Sequence, residues 1–298
     1  MEVLTSITIT LLVITWLAGV MLNSSIVAVY FRDWKNSRYF SVCDKIFLST
    51  ALLNIVQQCS NSGNGLFSYL PLSLKSAKDV YMPIFIITFS LIYGSFWYSA
   101  WLSVYYFLKL VKYSQGFFQQ LKKTLSSSIV PILIMTLLGI VFIELPFIWT
   151  LDVLFCPIET TNQSGGFYQT KNNVPFFVFN LVCGCCLPSL ATLICIGLSV
   201  ESLLGQVWRV HQNVPHFTSS PQIQGLLRAA RTMTLQLILN TVLCLAITFR
   251  FLITSPDLKI LGIIESIIIL FFPSAQAMTL ILGNPKLRKK LFCQAVPS

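Results

Sequence analysis

Charge is what this sequence has least of. Only 10% of its 298 residues are Asp, Glu, Lys or Arg, against roughly 25% in a soluble domain. So few ionic groups cannot cover a water-facing surface, and a soluble globular fold is excluded on that ground. Histidine is scarcer still: there are two, His211 and His216, and neither lies in an apolar run. No His-Glu-x-x-His pair, phosphate-cradling glycine loop or Gly-x-Ser-x-Gly elbow occurs, so the usual zinc, nucleotide and acyl-transfer chemistries lack their residues. Cys183, Cys185 and Cys186 cluster, but no histidine or further cysteine completes a tetrahedral zinc site around them. They read as small buried apolar side chains. No catalytic residue, metal or cofactor is expected.

What the chain has instead is apolar length. It is 55% hydrophobic with a mean hydropathy of +0.76. Val3 to Phe31 is 29 residues without a charge, too long for a cleaved signal peptide and lacking its basic start, so it reads as an anchoring span. Similar runs follow at about 45–66, 80–108, 124–150, 174–200, 232–254 and 260–282. With the first, at 4–31, they give seven spans in a single domain over 1–298. The expected fold class is an all-α membrane protein, a seven-transmembrane-helix bundle. Fifteen of the twenty Lys and Arg fall on one side of that topology and five on the other. The bias puts the N-terminus outside and the C-terminus inside, at the plasma membrane. The net charge of +10 is confined to short clusters between apolar runs. That pattern suits anionic membrane lipids and argues against nucleic acid.

The polar residues inside the spans carry the remaining information. Asn23 heads a sequon within the first span, where burial keeps it from glycosylation and hydrogen bonding between helices is the expected role. Gln57, Gln58, Asn61 and Asn64 lie in the outer half of the second span, either bonded to neighbouring helices or lining a wet cavity. Glu144 and Glu265 are carboxylates inside apolar runs, costly there and so candidates for function, with Arg250 or a cationic ligand as partner for Glu265. Pro273 marks a bend in the last span rather than its end, and Gly283-Asn284-Pro285 ends it before the basic cluster Lys286, Arg288, Lys289 and Lys290. Asn162, in a sequon of the longest external loop, is expected to carry glycan. Cys293, just past the basic cluster, is expected to be palmitoylated. No disulfide is proposed; Cys59 is the one plausible partner for the external Cys156.

Several stretches resemble the bitter taste receptor family (type 2 taste receptors). The likeness rests on Pro273-Ser274, Leu280-Ile281-Leu282-Gly283-Asn284 and Lys286-Leu287-Arg288 at the end of the chain. It extends to Trp97 through Lys109 in the third span, continuing through Ser114, Phe118, Leu121 and Lys122, and to Asn23-Ser24, Asp33-Trp34, Arg38, Ser41 and Asp44-Lys45-Ile46 near the start. The chain departs from the family at Asn54, where an arginine is usual, and at Thr88 and Ile92, where a tryptophan and an asparagine are. Asn240 stands for a tyrosine and Gln276-Ala277 for His-Ser. The resemblance implies a G-protein-coupled receptor for a small-molecule agonist, coupled to a gustducin-like or inhibitory heterotrimeric G protein. It implies ligand contacts at Thr88, Phe89, Ile92, Asn180, Gly184, Leu243, Ile247, Ser266 and Ile269, with Glu265 at the rim. That lining favours neutral or weakly cationic, hydrophobic agonists over anions and sugars. It implies G-protein contacts at Lys109, Ser114, Phe118, Lys122, Arg209, Arg231 and Lys286. A vomeronasal type 1 pheromone receptor resembles the chain less well in the third span and tail. A small-solute transporter, using Glu144, Glu265 and Arg250 as an ion path, is the alternative of another class, although no internal repeat supports it.

Overall fold

Each apolar run folds as a helix, because in hydrocarbon every backbone N–H and C=O must be satisfied within its own segment. The computed structural model describes residues 2–67, 74–110, 116–150, 152–160, 163–171, 174–213, 221–252 and 259–292. In chain order these form α1 (Glu2–Lys35), α2 (Val42–Phe67), α3 (Leu74–Leu110), α4 (Gly116–Glu144) and the single turn α5 (Phe147–Thr150). A hairpin of β1 (Asp152–Thr160) and β2 (Gln163–Lys171) follows. The chain continues with α6 (Val174–Leu181), a π-helical turn (Val182–Cys186), α7 (Leu187–Asn213), α8 (Pro221–Leu252), α9 (Lys259–Gly283) and α10 (Pro285–Phe292). Because α6, the π turn and α7 run on without a break, there are seven long helices among the described residues.

Six of the seven are long and apolar enough to cross a membrane. The seventh, α2, is 26 residues long, about 39 Å at the helical rise. Its hydropathy is lowered by Gln57, Gln58, Asn61 and Ser62, all buried against neighbouring helices. Lipid therefore meets other faces. Ile14 and Met21 of α1, Met135 and Phe142 of α4, Leu193 of α7 and Phe249 of α8 are all exposed, as an apolar solvent permits. The central helix is α3, whose span is 78% buried against 22% for that of α4.

Chain ends and breaks follow local chemistry. At the start of α2, the Ser41 hydroxyl accepts from the Asp44 N–H at 3.2 Å and the Asp44 carboxylate accepts from the Ser41 N–H at 3.1 Å, a reciprocal capping box. The Asn284 side chain accepts from the Lys286 N–H at 2.9 Å and Pro285 takes the first helical position, so α10 begins one residue after α9 ends. In α4, Ser128 departs from helical geometry (φ −119°, ψ 21°) three residues before Pro131, a proline kink.

The structure departs from the sequence reading in three places. The loop after residue 151 is not irregular: β1 and β2 pair antiparallel from Asp152–Lys171 to Thr160–Gln163, so the all-α description holds for the bundle and not for this hairpin. Its strands carry Val153, Phe155, Ile158 and Tyr168, residue types that favour extended backbone. Residues 201–213, expected as loop, continue α7, which puts His211 on a helix; His216 lies outside the described residues. The fourth apolar run, expected to reach residue 150 unbroken, stops at Glu144 and turns through Leu145 and Pro146 before α5.

Candidate functional site

Pro273 sits inside α9 without ending it. Having no N–H, it cannot satisfy the Ile269 carbonyl one turn earlier. The Asn61 amide of α2 does so instead, at 3.3 Å. The Pro273 carbonyl in turn accepts from the Asn23 amide at 3.2 Å, an amide that also reaches the Gly19 carbonyl at 2.9 Å. Asn54 donates to the Asn23 side-chain oxygen at 3.1 Å. Asn23 is fully buried, as the first sequon requires. Three amide bonds thus join α1, α2 and α9 around one proline. On the α3 side, Ser95 donates to the Gln57 oxygen at 2.9 Å, and Ser99 to the Gln236 oxygen of α8 at 3.0 Å. Gln276 of α9 donates to both Ser99 and Gln236, at 3.2 and 3.3 Å. Of the second-span amides, Gln57, Asn61 and Asn64 therefore bond to neighbouring helices, while buried Gln58 has no hydrogen-bond partner among the described residues.

The π turn has a similar logic. The Leu187 N–H is drawn to the Val182 carbonyl, and the next residue, Pro188, has no N–H to offer. The Cys183 carbonyl is therefore abandoned by its own helix, and the Trp97 indole N–H of α3 donates to it at 3.2 Å. Beside it Gly184 lies against the Tyr93 ring; a Cβ there would fall 2.5–2.7 Å from ring carbons. Only glycine allows this approach.

Around these bonds lies an apolar cluster toward the hairpin end of the bundle. It includes Phe85, Phe89, Ile92, Tyr93, Phe96, Phe147, Phe177, Leu243, Ile247 and Phe272, with Ile269 packed on it. Of the expected ligand residues, Phe89, Ile92, Leu243, Ile247 and Ile269 come together here, and Gly184 joins them through Tyr93. Asn180 is fully buried, with neither side-chain atom hydrogen-bonded. Thr88 is turned to α2, where its hydroxyl lies 2.6 Å from Ser60 and 2.7 Å from the Asn64 amide, and it donates to the Ile84 carbonyl. Glu265 is buried and Ser266 half-buried on α9.

The opposite, basic end is closed by ion pairs. Asp33 of α1, 1% exposed, is met by Lys290 and by Lys286 at 3.0 Å, both from α10, and by Arg38 at 3.6 Å. Lys286 also reaches Asp44 of α2 at 3.2 Å and lies over the Tyr30 ring. Among the expected G-protein contacts, Lys286 is thus held inward. Lys122 and Arg231 are exposed, and Phe118 packs edge-on against Phe107 at 6.1 Å. Lys109 lines a cavity of about 340 Å³ with Asp44, Tyr106, Arg228, Gly283 and Lys286. Arg209 lies on α7 with its side chain outside the described ones, and Ser114, Asn162 and Cys293 lie outside the described residues. Among the described residues no group of His, Cys, Asp or Glu could hold a metal ion.

A sequence model of the Taste receptor protein (TAS2R) family matches residues 1–296. The chain belongs to the TAS2R taste receptor family. Its relatives include taste receptor type 2 member 40 of Gallus gallus, 26% identical over 92% of this chain and 89% of that protein. Member 9 of Macaca mulatta is 29% identical over 91% and 87%, and member 39 of Homo sapiens 24% over 92% and 82%. It is thus a multi-pass membrane receptor of the G-protein-coupled class and not an enzyme.

In this taste receptor three of the departures inside the bundle are absorbed differently. Asn54, standing where an arginine is usual, keeps α1 and α2 joined with an amide in place of a cation. Gln276, in the place of a histidine, ties α3 to α8 and α9. Asn240, in the place of a tyrosine, is fully buried with both polar atoms unbonded. Sequence reasoning passed over Tyr93, which the structure sets in this cluster, and named Glu144 without placing it. Tyr93 carried no polar signal among its aromatic neighbours. Glu144 did carry one, as a carboxylate in an apolar run, but its helix had not been assigned to the cavity.

Proposed function

We propose that this receptor detects small, mostly hydrophobic bitter-type compounds and activates a gustducin-like or inhibitory heterotrimeric G protein at the plasma membrane. In this reading residues 1–298 form one receptor domain with the N-terminus outside and the basic end in the cytoplasm. Asn162 carries glycan and Cys293 a palmitoyl chain. The agonist enters at the hairpin end and contacts Phe89, Ile92, Asn180, Gly184, Leu243, Ile247, Glu265, Ser266 and Ile269; Thr88 supports it from the side. The single observation behind this is convergence. Five apolar residues picked by family resemblance, from three helices far apart in sequence, meet in one buried cluster with few polar groups. Such a lining suits a small apolar ligand with one or two polar groups.

Binding there favours the active arrangement only through preferential affinity for it, about 1.4 kcal/mol for each tenfold shift. A few buried methylenes supply that, at ~0.8 kcal/mol each. At the basic end Lys109, Arg231 and the cavity beside Lys286 offer cationic and recessed surface to the G protein. The test is a calcium-response screen of bitter compounds in cells co-expressing the receptor and a chimeric G protein, with surface expression measured alongside. Ile92→Trp fills the cluster and Ser266→Lys charges it; each lowers agonist potency tenfold or more at unchanged surface level. Unchanged potency in both places the ligand elsewhere. Ion-driven solute uptake without a G-protein signal makes the protein a transporter.

A further inference from the structure

The aromatic cluster hides a group of polar atoms that nothing in the bundle satisfies. On α3, Phe85, Phe89 and Tyr93 are spaced four apart, and their rings touch in series at 4.4 and 5.9 Å. Facing them, Phe176, Asn180 and Gly184 are also spaced four apart, so they share a side of the helix. Phe176 meets Phe147 at 4.9 Å, Phe147 meets Phe85 at 5.4 Å, and Gly184 lies on the Tyr93 ring. Asn180 is held midway between these two contacts. Glu144 ends α4 three residues before Phe147 and is fully buried. Its carboxylate acts electrostatically on both the Tyr93 hydroxyl and the Cys185 thiol of the π turn.

Both Glu144 oxygens, the Tyr93 hydroxyl and both ends of the Asn180 amide lack a hydrogen-bond partner among the described residues. Leaving one such group unmet is costly, and leaving a carboxylate unmet inside a bundle is the most costly case. Five such atoms, on three separate elements that the Phe147 and Tyr93 contacts link, mark a seat for something the chain does not supply. The acceptors there include a carboxyl group, which in its ionised form repels anions and pairs with a cation. An ammonium group has three N–H donors and no acceptor. Its donors match the carboxylate, the Tyr93 oxygen and the Asn180 oxygen, while the Phe89 and Phe147 faces suit both its charge and its apolar body.

Resting on the ligand reading above, we propose that Glu144, with Tyr93 and Asn180, is the recognition group for agonists carrying a protonated amine. This group is not Glu265, which lies on α9. It makes the receptor select hydrophobic amines over uncharged molecules of the same shape.

The test compares 3-phenylpropylamine with the uncharged 3-phenylpropan-1-ol as ligands of the purified full-length receptor, followed by ligand-induced thermal stabilisation. The amine is expected to act at a concentration at least tenfold lower than the alcohol. Glu144→Gln keeps the size of the side chain but removes the charge, and it should abolish that preference. Tyr93→Phe should narrow it without abolishing it. An amine no better than the alcohol in the wild type overturns the proposal, and needs no variant to fold. So does a preference that survives in Glu144→Gln, the result expected if the carboxyl is a neutral acid bound to water. If neutral bitter compounds still signal and Ile92→Trp still blocks them, the receptor reading stands although the amine proposal has fallen; absence of any G-protein signal removes the reading itself.

Discussion

The bond between Asn61 and the Ile269 carbonyl exists because Pro273 cannot make it, and this dependence can be measured. Replacing Asn61 with leucine leaves the Ile269 oxygen without a donor. An unmet buried carbonyl costs about 1–3 kcal/mol. Interhelical hydrogen bonds in membranes measure lower, about 0.6 kcal/mol on average and ~1.7 at most. The leucine also removes the Asn61 oxygen, which is buried and unbonded, and this offsets part of the loss. A net destabilisation of about 1 kcal/mol is expected, a fall in melting temperature of roughly 2–4 °C for a chain of this size. Pro273→Ala restores an N–H to α9 in register with Ile269, so the carbonyl no longer needs Asn61. In that background Asn61→Leu should cost nothing measurable, giving a coupling energy of about 1 kcal/mol in a double-mutant cycle. The assay is thermal unfolding of the four purified receptors in detergent, monitored by a thiol-reactive dye. Equal costs of Asn61→Leu in the two backgrounds would refute the reasoning.

Two further outcomes follow from contacts at either end. Gly184→Ala drives a Cβ into the Tyr93 ring and should lower stability by about 1–3 kcal/mol through overpacking. Surface expression by flow cytometry should fall and recover when Tyr93→Leu is added; no recovery means that the strain lies elsewhere. Asp33→Asn removes the carboxylate held by Lys286 and Lys290. These lysines keep 32% and 18% exposure, so solvent screens the pair and the expected cost is about 1–2 kcal/mol rather than the full value for a buried pair. Amide exchange in residues 285–292 should quicken about tenfold, and unchanged exchange there would show that α10 is held by Leu287 packing alone.

Much of the bundle was legible because lipid imposes a simple rule: apolar length gives helices. The break at Gly283-Asn284-Pro285 and the continuation of α9 through Pro273 could be read from single residues. What could not be read was pairing. That Asn61 serves Ile269, or Trp97 serves Cys183, depends on which helices lie side by side, and no spacing within one helix encodes it. The same holds for Glu144. Its cost was visible in sequence, whereas its place at the end of α4, just before Phe147, depends on the helix stopping there. The hairpin was missed because a loop of mixed polarity carries no period long enough to distinguish paired strands from irregular chain.

The neutrality of the bundle's middle has an electrical consequence. Moving one elementary charge across a membrane potential involves about 2.3 kcal/mol per 100 mV. Asn23, Asn54, Asn61, Ser95, Ser99, Gln236 and Gln276 form the bonds between α1, α2, α3, α8 and α9, and none of them carries a charge. Had an arginine stood at residue 54, any rearrangement of this layer would have displaced a cation within the field, and the resting potential would have weighed on the balance of states. With amides there, that layer can rearrange without moving net charge, and a sensory cell can depolarise without altering how this part of its receptor answers.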